Sequence, residues 1–436
     1  MQVRRRARPR ATRNRPHSAP FDLPCGDGFL GVHHRAGVLV TALSVHAGAP
    51  GPERLENPWS ARDRAPGIAW NSLRQWMTRP DGAATSVTVL TEGRTGLHDG
   101  PTAAAYRTLT GPLSVAAERR VHVLLEFAPL DHPGLVAAYG TGTAAALRAC
   151  RSLTGRLAAL LSADGPVATG VTAAELTGLL SARLHQEGPP TAVLTDDPHA
   201  LPAAMESVWR TAGAATTALR WSVESGAPVV RAHLGSGAAA ASRPSTPGTA
   251  RVDRPLPGAT VPALGGAVLP VAGAGVIVGA DHRGRPVTLR LAGSDVPLAE
   301  AACDLEAVHR LVARLTAVGI GAAVFTDRPR QWAGLIDAVA DPRLLHPAAD
   351  GPAPLLIDDR PGHRLGPLAG STVLRVTGPG RPELADTGAP VWLAEADDTD
   401  RVRVTGNGRH LRVRSVTTPA EDALVRVGAG DRLTLR

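Results

Sequence analysis

The chain has 436 residues and ordinary apolar content, enough for two domains or one large domain with a full core. Aromatic residues make up only 3%, so the core must be mostly Leu, Val and Ala, and with no lysine all 47 basic residues are arginine, which excludes a Walker A loop. The formal charge of +8 points toward nucleic acid or anionic lipid, but Arg4, Arg5, Arg6, Arg8, Arg10, Arg13 and Arg15 carry nearly all of it, so the body is close to neutral.

Residues 1–20 form a basic tail without apolar periodicity and read as disordered. No apolar segment follows the arginines, so the tail is not a signal peptide. It is either a solvated terminus or a contact with an anionic membrane surface, where each arginine contributes about 1 kcal/mol. Residues 21–235 read as an N-terminal α/β part. Phe21–Val45 is expected to be a β-hairpin turning at Arg35-Ala-Gly37. His33 and His34 then point to opposite faces of one strand and cannot share a metal. Ile68–Met77 reads as a short helix with core tryptophans, Ser86–Thr91 as a strand, and Glu92–Thr110 as a polar connection.

The stretch Ser114–Leu184 organises this half. Val121–Phe127 is a nearly continuous apolar run, the pattern of a strand buried in mid-sheet. Gly140-Thr-Gly142 leads into a helix over Thr143–Leu161. There Leu147, Cys150, Leu153, Leu157, Leu160 and Leu161 line one side, opposite Arg148, Arg151 and Arg156. A second amphipathic helix starts at Thr172, whose pairing with Glu175 has the form of a capping box. Further on, Ala192–Thr195 reads as a strand and Pro202–Gly213 as a helix. Ala218–Val223 and Val229–Leu234 read as a hairpin.

Residues 236–262, rich in Ala, Ser, Pro and Gly, read as the linker, and 263–436 as a C-terminal α/β part. The uncharged run Gly258–Ala280 holds two prolines and six glycines, so it reads as strands and turns, not a membrane span. A hairpin over Ala274–Leu291 follows. Helical spacing then predicts one long helix over Leu298–Val318, stopped by Gly319. A strand at Ile320–Phe325, a helix at Pro329–Val339 and a strand at Leu355–Ile357 imply parallel pairing. Ser371–Val376, Val391–Ala394, Arg401–Val404 and Leu411–Val416 complete a β-rich tail.

The chemical candidates are sparse. Cys25, Cys150 and Cys303 are far apart, lack zinc spacing, and read as free thiols, with Cys150 and Cys303 on helix stripes. Gly273-Ala-Gly275 does not open a helix, as a dinucleotide site requires. Gly140-Thr-Gly142 has the better context for anion binding but reads as a structural loop. Asp398-Thr-Asp400 has the D-x-D form that suits a divalent cation and a nucleotide diphosphate, or is a solvated hairpin loop. Asp358-Asp359 is a further acidic pair at a strand end. There is no G-x-S-x-G and no H-E-x-x-H, and His309, beside the apolar stripe of its helix, reads as a packed or surface residue and not a ligand.

Several stretches together resemble the EccE family, a core component of the type VII (ESX) secretion machinery of actinobacteria. They are Gly31–Thr41, Tyr106–Leu113, Ala116–Leu125, Gly142–Leu161, Val171–Leu180 and Val324–Trp332, and the likeness covers most of Phe21–Val427. The family normally begins with two membrane helices, which this chain lacks, and His122 and Glu126 depart from its pattern. The resemblance implies a degenerate glycosyltransferase-type α/β fold and no catalytic, cofactor or metal site. It further implies a structural role on the cytoplasmic face of the cell membrane beside EccD, near EccB and EccC. Either the start is truncated or misplaced or the chain attaches as a peripheral subunit, and the arginine tail suits a cytoplasmic juxtamembrane position in both cases. The alternative is a metal-dependent glycosyltransferase using Asp398 and Asp400.

Overall fold

The computed structural model describes residues 19–26, 28–48, 51–54, 67–94, 100–110, 118–163, 165–185, 214–224, 227–236, 268–273, 275–293, 296–348, 353–362, 365–368, 371–379, 391–395, 401–406 and 408–427. The first half runs β1 (Phe21–Cys25), β2 (Gly28–Arg35), β3 (Val38–His46), β4 (Glu53–Arg54), β5 (Gly67–Ala69), α1 (Trp70–Thr78), α2 (Pro80–Ala83), β6 (Thr85–Arg94) and α3 (Pro101–Thr110). It continues through β7 (Glu118–Phe127), α4 (Pro133–Ala137), α5 (Gly142–Ser162), β8 (Val167–Gly170), α6 (Ala173–His185), β9 (Ala214–Glu224) and β10 (Ala227–Ser236). An antiparallel sheet of order β1-β2-β3-β7-β6-β9-β10, with β8 also on β3, holds this half together.

The apolar run of β7 lies between β3 and β6, as its composition predicts. Val121, Val123, Leu125 and Phe127 face α1 and α5, packing with Trp76, Leu153 and Leu157. Leu124 faces the other way, onto Ala42, Leu90 and Leu176 of α6. Both faces are covered, so the strand needs apolar residues on both sides. The capping box forms: Thr172 N donates to Glu175 Oε2 at 2.7 Å and Glu175 N to Thr172 Oγ1 at 3.4 Å. Gly31 seats this helix start, since a Cβ there would lie 2.6 Å from the Thr172 carbonyl carbon. The β2–β3 turn puts Ala36 and Gly37 at φ 49° and 85°, the left-handed pair of a tight hairpin. The strand expected at 192–195 and the helix expected at 202–213 lie outside the described residues.

The second half runs β11 (Val268–Pro270), β12 (Val276–Ala280), β13 (Pro286–Leu289), β14 (Leu298–Ala302), α7 (Leu305–Ala317), β15 (Ala322–Thr326), α8 (Pro329–Val339) and β16 (Leu345–Pro347). It ends with β17 (Leu355–Asp359), β18 (Thr372–Val376), β19 (Val391–Glu395), β20 (Arg401–Gly406), β21 (Arg409–Arg414) and α9 (Pro419–Val427). The sheet order is β16-β15-β17-β18-β14-β19-β20-β21-β12-β13-β4. Pairing is parallel from β16 to β19 and antiparallel beyond. The molecule is therefore mixed α/β, with helices layered on sheets.

The single helix expected over Leu298–Val318 is corrected. Leu298–Ala302 is strand β14, fully buried between β18 and β19. The helix begins only after Asp304, whose Oδ1 accepts from Ala307 N at 2.6 Å. Leu-Ala-Glu-Ala-Ala fits a helical stripe by spacing, but hydrogen-bonded ladders on both sides override propensity. Cys303 accordingly lies between strand and helix, not on a helix stripe, and is a buried free thiol. The polar connection expected over Glu92–Thr110 is also corrected, because it contains α3, which buries Ala103, Ala105 and Tyr106.

The two halves exchange elements. β4 pairs with β13, and β11 pairs with β5. Leu269 and Val271 pack in the first core, while Tyr106 and Leu109 of α3 pack in the second. The boundary read at 236–262, nearly all outside the described residues, thus separates the sheets in sequence while three short elements cross between them.

One guanidinium closes the second core. Arg314 on α7 donates to both oxygens of Glu421 on α9, at 2.7 and 2.9 Å. It also donates to the carbonyls of Ile277 and Val416 at 2.7 and 2.5 Å. Ile277 N donates to Tyr106 Oη at 2.9 Å, so both backbone groups of this residue end on side chains. Burial pushes the Tyr106 phenol up to about 12, keeping it neutral. The side chains of Arg314 and Glu421 are 5% and 2% exposed. Glu421→Gln leaves a buried cation half-paired and is expected to cost about 3 kcal/mol or more, read as a shift in the urea unfolding midpoint.

Candidate functional site

The parallel strands β15 and β17 end side by side at one edge of the sheet. From β15 the chain leaves through α8 to β16 on one side, and from the adjacent β17 it leaves to β18 on the other. Such a switch point, at the carboxyl ends of parallel strands, is where open α/β sheets place their ligands. The strand ends deliver Thr326 and Arg328 from β15, and Asp358, Asp359 and Arg360 from β17.

Consecutive carboxylates on β17 point to opposite faces of the sheet. Asp359 faces α8. Its Oδ2 accepts from Thr326 Oγ1 at 2.9 Å, Arg328 Nε at 2.9 Å and Trp332 Nε1 at 2.7 Å, and its Oδ1 accepts from Arg328 Nη2. Asp358 faces the β17–β18 connection. It accepts from Arg360 Nε and Leu365 N, both at 2.8 Å. Arg360 lies over the Phe325 ring, 5.2 Å from its centroid, within cation–π range. Arg375 donates to the Leu365 carbonyl at 2.9 Å, so Leu365 is pinned through both its backbone groups. The bond to Asp359 raises the affinity of Arg328 for its proton.

His309 on α7 packs behind this edge, against Trp332 of α8. Its ring meets Trp332 edge-on, with centroids 4.6 Å apart. It is buried, and its Nε2 has no hydrogen-bond partner among the described residues. Burial pushes the imidazole down to about 4, against the pull of the Asp359 carboxylate, which acts to raise it. It is therefore neutral at pH 7, and of the packed and surface readings its burial selects the packed one.

The acidic pair Asp358-Asp359 sits at a strand end as read, but both carboxylates are spent on internal donors. Asp398 and Asp400 lie outside the described residues, as do the seven arginines of the tail. Gly140-Thr-Gly142 forms a turn that Arg148 braces by donating to the Tyr139 carbonyl at 2.8 Å. Gly275 enters strand β12 of a hairpin. His33 is buried and His34 exposed, on opposite faces as expected. Glu126 accepts from Ser86 Oγ at 2.9 Å and Arg220 Nη2 at 2.7 Å. Among the described residues no group of three or more His, Cys, Asp or Glu is arranged to hold a metal ion. Arg328, Arg360 and Arg375 do not stand out as site residues in the sequence. Their signal was an arginine at or just past the end of each strand, legible only once those ends are known to be neighbours. Comparison with known protein-family models finds no match, and a search of curated proteins finds none either.

Two expectations follow from this geometry. If the Asp359 carboxylate is held for structure, Asp359→Asn is expected to lower stability by roughly 2 kcal/mol, measured by chemical denaturation. A carboxylate strained for chemistry would instead gain stability on neutralisation. For His309, the folded-state value lies below the ordinary 6.5, so protons bind the unfolded chain first. Stability is then fully present above about pH 6.5 and falls as pH drops toward 4, by up to roughly 3 kcal/mol. His309→Phe is expected to remove that part of the slope between pH 7 and 4, seen by comparing denaturation midpoints at each pH.

Proposed function

We propose that the chain is a non-catalytic structural subunit of a type VII secretion membrane complex, acting on the cytoplasmic face of the membrane by offering packed surfaces to EccD, EccB and EccC. The resemblance to EccE along most of Phe21–Val427 supports the choice of assembly. The observation that carries the non-catalytic part is the state of Asp358 and Asp359. They occupy the place where an α/β sheet presents its chemistry, yet their oxygens already accept from Arg328, Trp332, Thr326, Arg360 and Leu365 N. Interlocked halves suit a load-bearing part, because neither sheet completes its core without elements of the other. The layered parallel strands also support the reading of a degenerate glycosyltransferase-type fold. No helix among the described residues is long and apolar enough to cross a membrane. In this reading the arginine tail meets the anionic membrane surface beside the partner subunits.

Deleting the gene is expected to abolish export of the cognate type VII substrates, and a tagged chain is expected to co-purify with the other membrane subunits. Normal export in the deletion strain would remove the proposal. Calorimetry with manganese and nucleotide sugars tests the glycosyltransferase alternative: saturable binding lost in Asp400→Ala would favour the enzyme.

A further inference from the structure

The two guanidiniums at the carboxyl edge use only part of their hydrogen-bonding capacity. Arg328 gives Nε and Nη2 to Asp359, and Arg360 gives only Nε to Asp358. Nη1 of Arg328 and both Nη groups of Arg360 donate to nothing among the described residues. The pairs are also oriented. The Arg328 side chain is 41% exposed against 2% for Asp359, and that of Arg360 is 23% exposed against 1% for Asp358. Negative charge therefore sits inside and positive charge outside, so the carboxyl edge presents cationic donors although each pair is neutral. Both guanidiniums are already held by a carboxylate, and Arg360 also by the Phe325 ring. Little side-chain freedom remains to be lost on binding.

The carboxylates that brace them are neighbours on one strand and face opposite sides of the sheet. Asp359 bonds Trp332 of α8, and Asp358 bonds Leu365 of the β17–β18 connection. Arg328 and Arg360 thus stand on either side of the end of β17, at the switch point. Charge neutralisation of buried acids alone needs one guanidinium per carboxylate. It does not require both to leave forked donor edges turned outward at the place where such sheets bind ligands.

We propose that this edge binds a small molecule bearing two anionic groups, a diphosphate or a dicarboxylate, with one group on Arg328 and the other on Arg360 across the end of β17. Planar guanidinium forks suit both anions. The proposal is independent of the structural-subunit reading and stands or falls separately from it.

The test is calorimetric titration of the full chain with pyrophosphate, succinate and orthophosphate at low ionic strength. Saturable binding of pyrophosphate or of succinate is expected, about tenfold tighter than orthophosphate, and which of the two binds identifies the anion class. Arg360→Gln is expected to weaken that binding by about tenfold or more, while Arg330→Gln, an exposed arginine nearby, leaves it unchanged. If Arg360→Gln does not fold, Arg360→Lys keeps a counterion for Asp358 but removes the fork, and the same weakening is expected. No saturation up to roughly 10 mM of either two-charge anion overturns the proposal, as does binding that is equal in Arg360→Gln or Arg360→Lys and the parent chain.

Discussion

The second half of this molecule depends on burying one positive charge. Arg314 meets that condition because its planar fork finds a carboxylate and two backbone carbonyls at once. The guanidinium joins α7 to α9 and to the outer edge of β12. That edge would otherwise carry unpaired backbone groups, since β12 meets β21 at Ala280 alone. The Tyr106 hydroxyl satisfies the remaining amide and brings α3, a helix from the other half of the chain, into the same knot. Removing any member leaves a buried polar group without its partner, so this contact couples helix packing, sheet edge and the joining of the halves.

The same arrangement of charge recurs at the carboxyl edge of the parallel strands, with a different outcome. Asp359 and Asp358 are as buried as Glu421, but their arginines reach outward instead of inward. At Arg314 the guanidinium is consumed inside the fold. At Arg328 and Arg360 it is fixed in place with donors remaining. A carboxylate engaged in this way is a poor metal ligand, while a braced guanidinium is a good anion receptor. The chemical character of the edge therefore belongs to its cations, although the acids are the more conspicuous residues in the sequence.

Local signals carried a large share of the fold. The strand at Val121–Phe127, the capping box at Thr172 and Glu175, the arginine-backed helix after Gly142 and the strand–helix–strand unit from Ile320 onward all follow from patterns within a few residues. Such patterns survive because burial on one face or both imposes them wherever the segment goes. Where the local pattern was ambiguous, context decided. Leu298–Ala302 satisfies a helical stripe and a buried strand equally well, and only the ladders from β18 and β19 select the strand. The segment holding α3 looks polar and loop-like because its burial is supplied by a distant core.

The candidate site was half legible. Asp358-Asp359 stood out as an acidic pair, but spacing along the chain is silent about Arg328, which lies about thirty residues earlier and becomes a neighbour only through parallel pairing of β15 with β17. By itself the sequence determined the elements whose own hydrophobic period and caps specify them, the neutral body behind a basic tail, and the lack of lysine that leaves every cationic contact to arginine. The tertiary structure alone decided which carboxylate holds which guanidinium, which strand ends meet, and which pieces cross between the two sheets. Those are long-range choices: each depends on two segments burying polar groups against one another, and neither segment encodes its partner.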